Sequence, residues 1–474
     1  MIAGLKTGWK LVAVVAVAGL IAGTPHKSGA ETLADALVGA YTTSGLLDQN
    51  RALLRAADED VATAVSALRP ILSWSGDVTR TFGNSLGSNT FGAKRSIGNT
   101  SVSAGLLAQL LLWDSGAASL GIGVAKESVL ATRQTLISIE QQVLLRAVSA
   151  FMSVRSASEF VALRQNNLRL LTEELRAARD RFEVGEVTRT DVALAEARQA
   201  EARSGLATAR GNLLQAQEEY KNVVGRRPGR LVPPPSLPRV ERNVNTAKAL
   251  AVRTHPDLRA AQHQVAASEL AILRAKAQTK PVLRATGSLG VTESFNSDAY
   301  TRSGTIGLEV SGPIYQGGAL SSGVRRQMAQ RDAQRANLYL VRNTIEQNVG
   351  NSFAQLDAVR ASLSASDERI RAARIAFRGI REEATLGART TLDVLDAEQE
   401  LLDAEAARIS AQADLYVAAY SILSSMGLLT TQNLALGVQQ YDPAAYYNIV
   451  KSAPTGRSKQ GQKLDRVLRA LQKD

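Results

Sequence analysis

Two stretches of this chain repeat one another at a constant offset of 202 residues, and that repeat restricts the fold more than any other feature. The stretch ATLGARTTLDVLDA, from Ala384 to Ala397, combines Gly387 with Thr390 and Asp393. FEVGEVTRTDV, from Phe182 to Val192, sets Gly185, Thr188 and Asp191 at the same spacing. A glycine can take the left-handed conformation that ends a helix. A threonine followed three residues later by an aspartate resembles a capping box, which satisfies the free amides opening the next helix. Each stretch therefore reads as a sharp reversal between two long helices, and the chain reads as two copies of one hairpin-bearing unit.

The helices leading into the reversals are unusually long. No proline interrupts the helical pattern from about Ser119 to Glu183, a run of 65 residues or about 100 Å of helix. Val154, Val161, Leu168, Leu175 and Phe182 recur every seven residues along it. Their counterparts at the 202 offset are Leu356, Leu363, Ile370, Phe377 and Ala384. Sustained heptads argue for coiled-coil packing. Aromatic residues are only 4% of the 474, which favours narrow Ala-rich seams over one thick core.

In chain order, Lys6 and Lys10 precede an apolar run, Leu11 to Ala22, too short to span a bilayer comfortably, and the small residues Ser28 and Ala30 follow. Residues 1–30 read as a cleaved secretory signal. The first copy covers 31–225: a helix to about Leu68, a strand pair at 70–112 around a Gly/Asn/Ser-rich loop from Gly83 to Gly98, the long helix, a tip at 184–190 and a return helix. Residues 226–245 are a proline-rich connector. The second copy covers 246–427, with its strand pair at 281–315 and its tip at 386–392. A packed segment, 428–450, and a basic mobile tail, 451–474, close the chain.

The strand pairs are short and alternating. Leu72, Trp74 and Val78 alternate with polar residues, as do Leu283, Ala285, Leu289 and Val291, and then Ile306, Leu308 and Val310; Val102, Ala104, Leu106, Ala108 and Leu110 alternate on a less polar partner. Each run is about the ten residues a tilted strand needs to cross a bilayer. Four such strands cannot close a barrel alone, because open edges are not tolerated in hydrocarbon and the smallest single-chain barrels have eight strands. Several chains must share one barrel.

Composition excludes several classes. The absence of cysteine removes disulfides and thiolate metal sites. The net charge of +12 falls to +4 over residues 31–450 once the signal and the basic tail are set aside, so nucleic acid is not an indicated partner. No phosphate loop, no Gly-x-Ser-x-Gly and no metal-spaced His/Asp cluster occurs, and His255 and His263 lie eight apart on a helix. The chain reads as neither an enzyme nor a cofactor binder.

The order helix, strand pair, long helix, Gly-x-x-Thr tip and return helix, twice over, resembles the TolC family of outer-membrane export channels. The resemblance is carried by LGARTTLDVLDAEQELLDA at 386–404, VGEVTRTDVALAEARQA at 184–200, and the corners WDSG at 113–116 and PIYQGG at 313–318. It implies a mainly α protein with a membrane β part. A homotrimer would form a coiled-coil helical barrel through the periplasm, continued by one shared 12-stranded β-barrel in the outer membrane, four strands per chain. The implied partners are outer membrane lipid, a periplasmic adaptor, and an inner-membrane ABC or proton-driven transporter, for type I protein secretion or multidrug efflux. A periplasmic coiled-coil adaptor is the alternative; it shares the signal and the hairpin but would carry globular β domains instead of two bilayer-length strand pairs.

The resemblance also implies site residues. Asp393 and Asp396, three apart on one helix face, would form an acidic ring at the pore entrance. Arg389 would contact Thr190 and Asp191 on the other tip and hold the entrance shut, although Ala384 stands where the family often has a tyrosine. Gly185, Thr188, Gly387 and Thr390 would shape the two tips that dock the adaptor.

Overall fold

A computed structural model of the chain describes residues 31–85, 95–234, 236–296 and 298–471. The expected signal, 1–30, lies outside the described residues. The two long helices, α3 (Ala117–Glu183) and α7 (Ala319–Thr385), are each 67 residues, and their bounds differ by the same 202 residues at both ends. Each turns back into a shorter helix, α4 (Arg189–Val224) or α8 (Thr391–Ser425). The heptad seam is buried at Val154, Leu175, Leu356 and Ile370, but Phe182, beside the tip, is exposed.

The helix expected over 31–68 is two helices, α1 (Leu33–Thr43) and α2 (Gly45–Ser66), broken where the Ser44 hydroxyl caps the second. Its counterpart is likewise divided, into α5 (Val244–Thr254) and α6 (Pro256–Ala277). Pro256 has no amide to donate and holds His255 out of helical geometry. His255, itself buried, accepts the Asp257 amide at its Nδ1.

Four strands form one antiparallel sheet in the order β1-β2-β3-β4: β1 (Ile71–Ser85), β2 (Arg95–Trp113), β3 (Val282–Ser294) and β4 (Tyr300–Ser311). The first pair runs further than expected, so that both ends of the Gly83–Gly98 stretch, 83–85 and 95–98, belong to β1 and β2, with no proline there to stop the ladder. Register decides the two faces. Trp74 lies opposite Leu106, Leu106 opposite Leu289, and Gly287 between Ala108 and Ile306, so the alternating apolar positions of the four strands share one face, and Leu107 and Leu111 of β2 fall on the other. Ser75, Asp77, Ser103, Ser288 and Thr305 share the other. Trp74, Val78, Leu72, Leu308 and Val310 are at least 70% exposed and Ile306 is 97% exposed in the single chain. Among the described residues no helix is long and apolar enough to cross a membrane.

The sheet meets the long helices at two equivalent corners. Ser115 and Gly116 have φ of 57° and 86°; Gly317 and Gly318, 202 residues on, have 57° and 86°. The first copy thus holds a serine in left-handed backbone where the second uses glycine. Ser115→Gly is expected to raise stability by about 1 kcal/mol, the cost of left-handed backbone for a residue with a Cβ. A denaturant midpoint that stays the same or falls would contradict this.

Two apolar cores lie at the base of the hairpins. One joins α1, α3 and α4 around Phe151, Leu144 and Tyr220; the other joins α5, α7 and α8 around Leu356, Val349 and Ile422. The tail expected to be mobile from Lys451 onward instead forms α10 (Lys459–Leu471). Leu464 and Leu468, one helical turn apart, pack on Tyr446 and Val450 of α9 (Ala445–Val450), and Arg69 donates to the carbonyls of Ser452 and Ala453. The abundance of Lys and Arg hid that two-leucine stripe. The chain exposes 30357 Å², against ~17,000 Å² for a compact monomer of its mass.

Candidate functional site

The two tips are built alike. Gly185 and Gly387 take φ of 81° and 77° and reverse the chain. The Glu186 amide donates to Arg181 and the Ala388 amide to Glu383, both at 2.9 Å, closing the outgoing helix ends. On the return, the Thr188 and Thr390 amides donate to Asp191 and Asp393 (2.9 and 3.0 Å), while the Asp191 and Asp393 amides donate to the threonine hydroxyls (3.3 and 3.2 Å). These bonds hold both carboxyls below the usual carboxylate range: Thr188 acts on Asp191 mainly through its hydroxyl, Thr390 on Asp393 mainly through its amide. Val184 and Leu386, equivalent positions just before the glycines, are 71% and 85% exposed, so each tip ends in an apolar knob beside exposed backbone.

The proposed gate residues are not brought together within the chain. Arg389 Nε meets Glu383 Oε2 at 2.9 Å on its own tip, because the Gly387 reversal folds Arg389 back over the last turn of α7. Thr190 and Asp191 stay on the other tip, with Asp191 engaged by Thr188. Asp393 and Asp396 are not a free acidic pair either. Asp393 is the cap of α8, and Asp396 Oδ1 accepts from Arg198 Nη2 of α4 at 2.9 Å. Among the described residues no group of three or more His, Cys, Asp or Glu side chains could hold a metal ion.

Sequence reasoning missed the polar contacts that join the two hairpins behind the tips. Arg198 of α4 reaches Asp396 of α8, Arg381 of α7 reaches Glu174 of α3 at 2.9 Å, and Asn167 Nδ2 of α3 donates to Glu398 Oε1 of α8 at 2.7 Å. Beneath them Leu171, Ala202 and Leu395 form a small apolar patch from three helices. Glu398 is only 5% exposed, and its Oε2 has no hydrogen-bond partner. Burial pushes its carboxyl up to about 7, with Glu174 adding to the rise and Asn167 and Arg381 opposing it. A glutamate within an apparent i, i+4 charge pattern looks solvated, and nothing local in the sequence distinguishes Glu398 from its neighbours.

The outer membrane efflux protein family matches residues 42–226 and 249–428, the two copies without the connector. The chain is 35% identical over 445 residues to the outer membrane efflux protein BepC of Brucella suis, covering 92% of this chain and 95% of that protein. It is 27% identical over 440 residues to the outer membrane protein TolC of Escherichia coli, covering 87% and 86%. Among solved structures, the outer membrane protein VceC of Vibrio cholerae superposes with a TM-score of 0.69 at 18% identity, over 83% of this chain and 96% of that one.

Proposed function

The chain belongs to the outer membrane efflux protein family, the TolC family, and on that premise we propose how its sheet, hairpins and tips work as one duct. It is an outer membrane channel of the class that serves efflux and secretion, rather than a periplasmic adaptor. It conducts passively, as its family does, and energy comes from elsewhere. Three copies would join β1 of one chain to β4 of the next, giving twelve strands with the apolar faces outward in lipid. The observation that carries this is the sheet: one apolar face, one polar face, and two outer strands each with an unpaired edge.

At the other end, the tips with Gly185, Thr188, Gly387 and Thr390 present apolar knobs and exposed backbone to a periplasmic adaptor, which connects the duct to an inner-membrane transporter. Asp393 and Asp396 from three chains line the entrance. In the shut trimer Arg389 leaves Glu383 for Thr190 and Asp191 on a neighbouring copy's tip. The test is conductance of the purified protein in planar bilayers. Wild type is expected to run as a trimer and to give discrete steps; a protein that inserts as a trimer but never conducts would overturn the duct. Arg389→Ala should raise conductance several-fold, whereas Glu383→Ala, which frees Arg389 for the neighbouring tip, should not. Equal conductance in wild type and Arg389→Ala would remove Arg389 from the gate.

A further inference from the structure

The two copies disagree at one place in a way that the duct alone does not require. In the first hairpin Arg179 of α3 pairs with Glu196 of α4 at 2.6 Å. Their counterparts at the 202 offset are Arg381 and Glu398, which could make the same pair within the second hairpin. They do not: Arg381 reaches across to Glu174, and Glu398 reaches across to Asn167. The converse holds one turn away. In the second hairpin Arg369 pairs with Glu400 at 2.8 Å, while their counterparts Asn167 and Arg198 are turned towards Glu398 and Asp396. All four side chains bond across to the other hairpin, Arg198 while also keeping Glu201 of its own helix.

We propose that Glu398 and Arg381 form a two-position lock. Neutral Glu398 stays buried against Asn167 and holds the hairpins together, and ionised Glu398 turns to Arg381, copies the Arg179–Glu196 pair, and releases both Glu174 and Asn167. This rests on the proposed duct, whose entrance is shut by contacts between tips.

The surroundings support the two positions. Asn167 bonds Glu398, and Glu174 of α3 and Arg381 of α7 act on its charge, while Arg164 of α3 and Arg198 and Glu201 of α4 line the same small space and Asp396 lies two residues before it on α8. Most of these charges already have partners. Arg198 is shared between Glu201 and Asp396, and Arg381 is held by Glu174. An ionised Glu398 in the observed position therefore has one neutral donor, one unpartnered oxygen and a like charge in Glu174. The space beside it is about 20 Å³, room for a single water, which rules out a bound ligand as the reason for the burial.

The direction with pH follows. In the locked position the carboxyl titrates near 7; in the released position, paired with arginine, it titrates at or below the ordinary glutamate value of 4.5. The locked form binds a proton that the released form does not, so the lock is favoured in acid and weakens as pH rises from about 4.5 towards 7.

The chain has no cysteine, so Glu186→Cys and Ala388→Cys at equivalent exposed tip positions give specific sites for spin labels. Distances between these labels, measured on the detergent-solubilised trimer at pH 5 and pH 8, should shift to longer values at pH 8. With Glu398→Gln, which keeps the amide-sized neutral group, the pH 5 distribution should persist at pH 8. With Asn167→Ala the long distances should appear already at pH 5. A wild type with no pH response, or a Glu398→Gln protein that responds like wild type, would overturn the lock. Because distance is read without conductance, a trimer that shows the shift yet does not conduct would instead count against the duct.

Discussion

Gly427→Ala is expected to destabilise the folded protein by about 3 kcal/mol, from left-handed backbone with an added Cβ and from overpacking together. Gly427 ends the second hairpin with φ of 75°, and an added Cβ there would lie 2.8 Å from His255 Cα and 3.0 Å from Pro256 Cδ. Those atoms belong to backbone and a proline ring, which cannot swing aside. They also form the break between α5 and α6, so the strain falls on the junction that seats the second copy's first helices against α8. Gly225, its counterpart in the first copy, has φ of 83° and would meet the Thr43 side chain at 2.7 Å. Thr43 is held by its hydroxyl bond to Gly39, and because its Cβ would itself lie 2.9 Å from the added atom, rotating the side chain does not relieve the contact, so Gly225→Ala should cost about as much as Gly427→Ala. Gly387 at the tip, with φ of 77° and nothing within 4 Å, should cost only the backbone term, about 1 kcal/mol. Denaturant midpoints are therefore expected to be highest for Gly387→Ala, with Gly225→Ala and Gly427→Ala both well below it. If Gly427→Ala and Gly387→Ala unfold together, the packing of the helix break against α8 contributes nothing.

The same pair of positions shows why some of this architecture could be read from sequence and some could not. Gly225 and Gly427, like Gly185 and Gly387, lie at the 202 offset and mark helix ends by a conformational need that only a few residue types meet. Alternation in the strands was equally legible, since every apolar position read there falls on one face once the register is known. The break at Ser44 was not legible, because Ser in a helical pattern is tolerated and only its capping of Leu47 reveals the interruption. Nor was the pairing of Asp396 with Arg198 or of Glu398 with Asn167, which join residues 198 and 231 positions apart. Periodicity reports the face a residue occupies; it does not report which hairpin will cover that face. Arg389 shows the same limit from the other side, since the motif around it fixes the tip while its partner, Glu383, follows from how tightly the tip turns.

Glu31→Ala is the second large effect expected, about 2 kcal/mol, because it leaves the buried Tyr220 hydroxyl without its acceptor and takes the carboxylate from the exposed Arg226 and Gly229. Glu31, just before α1, fastens the start of the first copy to the connector between the copies. Its amide donates to the Arg230 carbonyl and its carbonyl accepts from Val232, both at 2.9 Å. Its carboxylate, with the side chain 9% exposed, accepts from the Tyr220 hydroxyl and Arg226 Nη2 at 2.7 Å and from the Gly229 amide at 3.0 Å. Burial alone pushes this carboxyl up, but the Gly229 amide, Tyr220 and Arg226 together overcome it and leave the pKa below the ordinary value of 4.5. A lowered folded pKa means that the unfolded chain takes up the proton first. The stabilisation is therefore complete above about pH 4.5 and is lost as pH falls through the folded value. Glu31→Gln keeps the shape but not the charge, so it should lose about 1–2 kcal/mol at neutral pH and decline less in acid than wild type, since the other lowered carboxyls titrate in both. Tyr220→Phe should lose about 1 kcal/mol and retain the wild-type decline, since Arg226 and Gly229 still hold the carboxylate. Denaturation midpoints of the three proteins between pH 7 and pH 3 separate these outcomes. If wild type and Glu31→Gln keep a constant difference over that whole range, the carboxylate's charge is not what fastens the segment before α1 to the connector.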